Sequence, residues 1–127
     1  MNIAIKEGEK IELKTTVREN DTARVHGSGL LDVYSTPAMV AFMEKASMEL
    51  VQPYLEKGYS TVGISLDISH TKAIPVGKKI KCISKLKAGE GKQLTFEVKV
   101  LRGENLVGDG IHKRYIIEEK RFLSKIK

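Results

Sequence analysis

The chain has no tryptophan, and aromatic residues make up only 6% of its 127 residues. Its lysines are not interleaved with aromatic side chains, which argues against a stacking platform for single-stranded nucleic acid. A single cysteine, Cys82, excludes an internal disulfide and a cysteine-based zinc site. Cys82 alternates with Ile80 in a strand-like run, so a buried structural thiol is expected. No apolar run reaches the roughly 18 residues of a membrane-spanning helix. The first residues, Met-Asn-Ile-Ala-Ile-Lys-Glu, lack the basic-then-apolar layout of a secretory leader, and the expected compartment is the cytoplasm. Internal repeats and low-complexity tracts are also absent.

What is present is ordinary globular composition, 41% apolar and 30% charged, in a length that suits one domain over residues 1–127 with a sizeable core. The net charge of +6 has two readings, a solvated lysine-rich surface or an anionic partner such as a phosphorylated small molecule.

Hydropathy patterning gives the order of elements. Residues 10–18 alternate through Ile11, Leu13, Thr15 and Val17, as a half-buried strand does. Residues 19–33 are polar, carry Gly27-Ser28-Gly29 and read as a long loop of the kind that serves as a lid or binding segment. A helix is expected from Pro37 to Gln52, kinked or ended by Pro53, with Tyr54 to Gly58 able to add a last turn. Strands follow over 60–70, 79–88, 93–102 and 106–118, with turns at Gly89-Glu90-Gly91 and Arg102-Gly103-Glu104-Asn105. The tail from Lys120 to Lys127 reads as a basic amphipathic segment that packs as a turn of helix or an extended cap. The pattern predicts an α+β domain: one mainly antiparallel sheet of five strands around one central helix. An edge strand or helix face left bare by that arrangement invites dimerisation.

The helix carries the first chemical lead. Thr36 is a good N-cap before Pro37 at the first helical position. The next six residues, Ala38 to Met43, are apolar, so this part of the helix is expected to be buried almost all round. Glu44 then stands one turn from Val40 and one from Met48, where a carboxylate must be paired, bonded or used. Reaching out to solvent, or pairing with Lys45 or Lys72, is the plain reading, and general-base work the functional one. Thr36 is either only a cap or a hydroxyl at a positive helix end, able to attack a carbonyl or hold water while free N–H groups take the oxyanion.

His70 ends a strand and titrates near neutrality, as either a surface polar group or a proton-transfer residue. His112 and Arg114 alternate to the same face of the last strand. His26, His70 and His112 lack short ligand spacing, so no metal site is expected. Gly63 interrupts a good strand, which marks a bulge or a close approach by a ligand or backbone.

The run Val33-Tyr34-Ser35-Thr36-Pro37-Ala38-Met39-Val40-Ala41-Phe42-Met43-Glu44 resembles the helix start of hot-dog-fold thioesterases, in particular the fluoroacetyl-CoA thioesterase-like group. The likeness continues through Pro53-Tyr54-Leu55, Val62-Gly63, His70-Thr71, Ala73-Ile74-Pro75-Val76-Gly77 and Gly110-Ile111-His112-Lys113-Arg114. It implies a hot-dog fold, with the long helix wrapped by the sheet, in a homodimer that hydrolyses an acyl-CoA thioester. The catalytic set it implies is Thr36, Glu44 and His70, with Glu44 and His70 handling protons over the bound acyl group. Gly63 and Arg114 would lie by the thioester, with Leu30 in the lid and Lys72, Lys78 and Lys79 meeting the phosphates of coenzyme A. No cofactor beyond the CoA of the substrate is implied. The defluorinating members carry lid phenylalanines, whereas Val25-His26-Gly27-Ser28-Gly29-Leu30-Leu31 has none, so the implied substrate is a short-chain acyl-CoA more broadly. Non-catalytic binding of an acyl-CoA on the same fold is the alternative, and a basic nucleic-acid module is disfavoured by the lack of a recognition motif. A regular helix separates Thr36 from Glu44 by about 12 Å, so the two cannot bond directly; either the substrate bridges them or one of them meets its partner from the other subunit.

Overall fold

A computed structural model describes residues 4–127, so the first three residues of the leader reading lie outside the described residues. Five strands form one antiparallel sheet: β1 (Lys10–Thr16), β2 (Tyr59–His70), β3 (Lys79–Glu90), β4 (Gln93–Arg102) and β5 (Asn105–Glu118). Their order across the sheet is β1-β3-β4-β5-β2. The short α1 (Ala23–His26) precedes the long α2 (Thr36–Val51), and α3 (Glu119–Lys125) closes the chain. The tail is therefore helical, and β2 to β5 fall where hydropathy alternation puts them.

Two-residue turns join β3 to β4 and β4 to β5. Gly91 and Gly103 take φ of 61° and 59° there, the left-handed conformation that glycine adopts without strain. Residues 19–33 are more ordered than their composition suggests. Thr22 accepts from the Val25 N–H to start α1, and Gly27 ends it at φ 73°. Four helical residues are too few to leave a periodic signal.

Helix α2 lies across the sheet and buries Ala38, Met39, Met43, Ala46, Ser47, Leu50 and Val51. It meets Ile80, Cys82 and Leu86 of β3 and Leu94, Phe96, Val98 and Val100 of β4, all buried. Burying a large apolar side chain stabilises by roughly 1.5–3 kcal/mol, whereas isolated helices of this length are marginal, so packing holds α2 in place. The Cys82 thiol is fully buried, and burial pushes its pKa up to about 12. One polar pair sits inside this core. Ser47 Oγ donates to Met43 O at 2.9 Å, so its 2.8 Å contact with Ser84 Oγ is made with the Ser84 hydroxyl as donor.

Burial of α2 is one-sided and corrects the expectation of a helix sequestered all round. Ala41 is exposed, and Val40, Phe42 and Glu44 are half-buried. The helix lies mainly over β1, β3 and β4, and the flank facing β2 stays open. Leu66 and Ile68 of β2 are half-buried there, and Gly63 and Ile64 are exposed. No helix among the described residues is long and apolar enough to cross a membrane.

Candidate active site

The open flank between α2 and β2 holds two groups of polar side chains. The first is at the start of the helix. Tyr34 N–H donates to Ile74 O at 2.8 Å, and Ser35 N–H to Asp21 O at 2.9 Å, so the chain enters α2 tied on both sides. Thr71 N–H donates to Val107 O at 2.8 Å and pins the end of β2 beside it. The result brings Thr36 Oγ1 within 2.8 Å of His70 Nδ1. His70 Nε2 lies 3.0 Å from Lys72 O, an acceptor only, so Nε2 carries the proton. Nδ1 is then free to accept from the Thr36 hydroxyl. The Tyr34 ring stands edge-on to the imidazole, with centroids 6.1 Å apart. A hydroxyl, a base that takes its proton and a third group that orients the base form an activated-nucleophile arrangement.

Thr36 is not the helix cap. Ser35 is, with its hydroxyl accepting from Ala38 N–H at 3.1 Å, and Thr36 and Pro37 are the first two helical residues. Ser35 O takes Met39 N–H at 3.0 Å, and Pro37 has no N–H. Among the described residues, Thr36 N–H is the first-turn donor left for an incoming oxygen, at the positive end of the helix dipole. The expected set of several free N–H groups reduces to that one.

The second group surrounds Glu44. Its carboxylate is 3.6 Å from Arg114 Nη1, and its side chain is 40% exposed, so Glu44 is neither deeply sequestered nor paired with Lys45 or Lys72. Gly63 opposes Arg114 across the β2–β5 ladder, and the register shifts between Gly63 and Ser65. The strand bulges there, as one reading of Gly63 has it, but the close neighbour is a side chain and not a backbone: a Cβ at Gly63 would sit 2.6 Å from Glu44 Oε2. Arg114 is buried. Its Nε donates to Thr61 Oγ1 at 2.8 Å and its Nη2 to Thr61 O at 3.0 Å. Burial draws its pKa down while Glu44 draws it up. His112 completes this group. Alternation put it beside Arg114, yet nothing in the sequence alone said that it is fully buried and bonded to that arginine.

Within one chain, Glu44 and His70 therefore belong to separate groups. The structure joins Thr36 to His70 and Glu44 to Arg114 and Gly63. Lys72 contributes its carbonyl to His70. With Thr36, His70, Ser28 and Tyr34, it lines a cleft of about 340 Å³. Leu30 stands out from the preceding loop at 87% exposure. A larger hollow, about 460 Å³, lies along β1 and β3 at Lys14, Thr16, Lys79 and Lys81. It holds cations but no acid–base pair, so the chemistry belongs to the smaller cleft. No three His, Cys, Asp or Glu side chains converge among the described residues.

One long helix laid in an antiparallel sheet of this order defines the hot-dog fold. A hot-dog-like protein from Thermanaerovibrio acidaminovorans shares it, with a TM-score of 0.86 at 18% identity over 94% of this chain and 89% of its own. A solved structure of the fluoroacetyl-CoA thioesterase FlK gives a TM-score of 0.92 at 28% identity, covering 97% and 96% of the two chains. A variant of that enzyme, solved with fluoroacetate and CoA, gives 0.88 at 28% identity over 93% and 99%. The fluoroacetyl-CoA thioesterase of Streptantibioticus cattleyicolor is 32% identical over 96 residues, 76% of this chain and 69% of the relative. The family model for fluoroacetyl-CoA-specific thioesterases matches residues 17–120, and the chain belongs to that family.

Proposed function

We propose that the protein is a thioester hydrolase that cleaves a short-chain acyl-CoA to the free acid and CoA, with Thr36, His70 and Glu44 as catalytic residues. The observation that carries this is the 2.8 Å contact from Thr36 Oγ1 to an imidazole whose other nitrogen is held by Lys72 O. Thr36 Oγ attacks the thioester carbonyl carbon, and its proton passes to His70 Nδ1. The developing oxyanion meets Thr36 N–H at the helix start. Collapse breaks the C–S bond, and His70 returns the proton to the CoA sulfur. Water then cleaves the acyl-threonine ester and restores the hydroxyl. Glu44, braced by Arg114 and admitted by the bare Gly63, takes one proton of that water and releases it to solvent; the other passes to the departing Thr36 oxygen, and the acyl group leaves as its carboxylate. The exposed Leu30 lies along the acyl or pantetheine arm, and Lys72, Lys78 and Lys79 meet the CoA phosphates. A cytoplasmic location goes with such a substrate.

Glu44 lies about 12 Å along the helix from Thr36, too far to serve it within one chain. A homodimer belongs to the reading for that reason. The outer edge of β2 has no neighbouring strand among the described residues. A second copy added antiparallel to this edge brings the Glu44 end of one trough towards the Thr36–His70 end of the other. Sedimentation is expected to give twice the mass of the 14.1 kDa chain, and a proline at Ile64, in mid-edge, to shift it towards monomer with loss of activity. A monomeric, fully active wild type would remove the dimer.

The direct test is release of free thiol from acetyl-, propionyl- and longer acyl-CoA. Turnover is expected on the short chains. Tight CoA binding without thiol release would replace hydrolysis with the non-catalytic binder.

A further inference from the structure

We infer that His112 is a positioning residue: its unprotonated Nε2 accepts from Arg114 Nη1 and so aims that guanidinium at Glu44. The inference rests on the reading that Glu44 takes part in thioester hydrolysis. It starts from β5, where residues two apart share a face. His112 and Arg114 both point inward, and His112 is fully buried. Its Nδ1 lies 2.9 Å from Ser65 O, just beyond the bulge at Gly63. A carbonyl only accepts, so Nδ1 carries the hydrogen and Nε2 presents its lone pair. That lone pair is 3.1 Å from Arg114 Nη1.

The guanidinium's donors are thereby divided. Nε and Nη2 are committed to Thr61, and Nη1 alone stands between His112 and Glu44. Thr61 fixes one side of the planar group, and His112 fixes the end that faces the carboxylate. The imidazole is itself braced, because Phe96 stacks against it with centroids 6.2 Å apart and planes 29° apart. Removing the acceptor at His112 leaves Nη1 without its anchor, and the Glu44 carboxylate is exposed enough to follow it.

Protonation would have the same effect. It removes the lone pair and sets a second cation against Arg114. The charged groups facing His112 are Arg114 from β5 and Glu44 from α2; β2 offers the Ser65 carbonyl and β4 the Phe96 ring. Burial, the largest influence, and then Arg114 lower the His112 pKa, while the Ser65 bond and Glu44 act in the opposite direction. The neutral ring is thus favoured in the fold. The sign follows: the arrangement is intact above the ordinary histidine pKa of about 6.5 and is lost as pH falls through the lowered folded value.

The experiment compares His112→Gln, whose amide oxygen restores an acceptor for Nη1, with His112→Met, which fills the space without one. On acetyl-CoA, Met is expected to lower kcat about tenfold or more with little change in KM, and Gln to stay within about threefold of wild type. The acid limb of the wild-type kcat/KM profile should contain one more proton than that of Gln. Nitrogen-15 histidine spectra of the wild type should show the hydrogen on Nδ1. A merely structural role would scale all activities without altering the shape of the pH profile. Equal activity in Met and wild type, superimposable acid limbs in Gln and wild type, or the hydrogen on Nε2 would each overturn the assignment. A wild type with the hydrogen on Nδ1 but no thiol release would instead sink the hydrolysis reading and leave the bond to Arg114 standing.

Discussion

Thr36→Ala is expected to lower kcat by about 10²–10⁴-fold with almost no change in stability. The separation is possible because the helix cap is Ser35, and among the described residues the Thr36 side chain bonds only His70. Ser35→Ala should do the reverse and cost about 1 kcal/mol of stability through the lost cap. Thr36→Ser, which keeps the hydroxyl, should retain much of the rate. His70→Gln should fall as far as Thr36→Ala, and the double variant little further, because a nucleophile and its base fail as a unit. Thiol release and thermal melts on the five proteins decide the matter. Thr36→Ala with a rate within tenfold of wild type would remove the threonine as nucleophile.

The second large effect is expected at two glycines that look alike in the sequence. At Gly63 an added Cβ meets the end of the Glu44 side chain, 2.6 Å away. That side chain is flexible and partly open to solvent, so it can swing aside. Gly63→Ala should therefore cost under about 1 kcal/mol in stability yet about 10–100-fold in kcat, because the carboxylate leaves Arg114. At Gly110 the added Cβ runs into the Asp67 carbonyl and lies 2.6 Å from Ile68 Cα, both backbone of the neighbouring strand. Backbone cannot swing aside. Gly110→Ala should cost about 1–3 kcal/mol or more, read as a drop of several degrees in Tm. Equal melting temperatures for the two variants would show that the obstacle at Gly110 yields as easily as the one at Gly63.

The strands were legible because alternation over ten residues or more is a strong signal, as in Leu94, Phe96, Val98 and Val100, all of which are buried. The cap was legible only to within one residue. Ser35 and Thr36 are both good capping residues, and the choice lies in tertiary contacts: Asp21 O holds Ser35, and His70 draws off the Thr36 hydroxyl. Apolar composition implied that the start of α2 is enclosed, but composition does not say how many elements cover a helix. The β2 flank is uncovered, and Glu44 is consequently half-open. The pairing of Glu44 with Arg114 depends on strand order, which hydropathy does not encode.

The hydroxyl pair inside the core bears on all of this. Apolar side chains packed against a sheet resist separation but tolerate small rotations and slides. Ser47 and Ser84 do not, since a displacement of about 1 Å breaks the bond between them and leaves the enclosed Ser84 hydroxyl without its acceptor, while Ser47 keeps its bond to Met43 O. They act as a locating dowel between α2 and β3, setting the azimuth of the helix and hence the heading of Thr36 and Glu44. Alanine at both positions would remove two desolvated hydroxyls and need not weaken the fold, but the helix would lose its index mark. Aim in this protein is thus maintained from the rear of the helix, by residues that never approach the substrate.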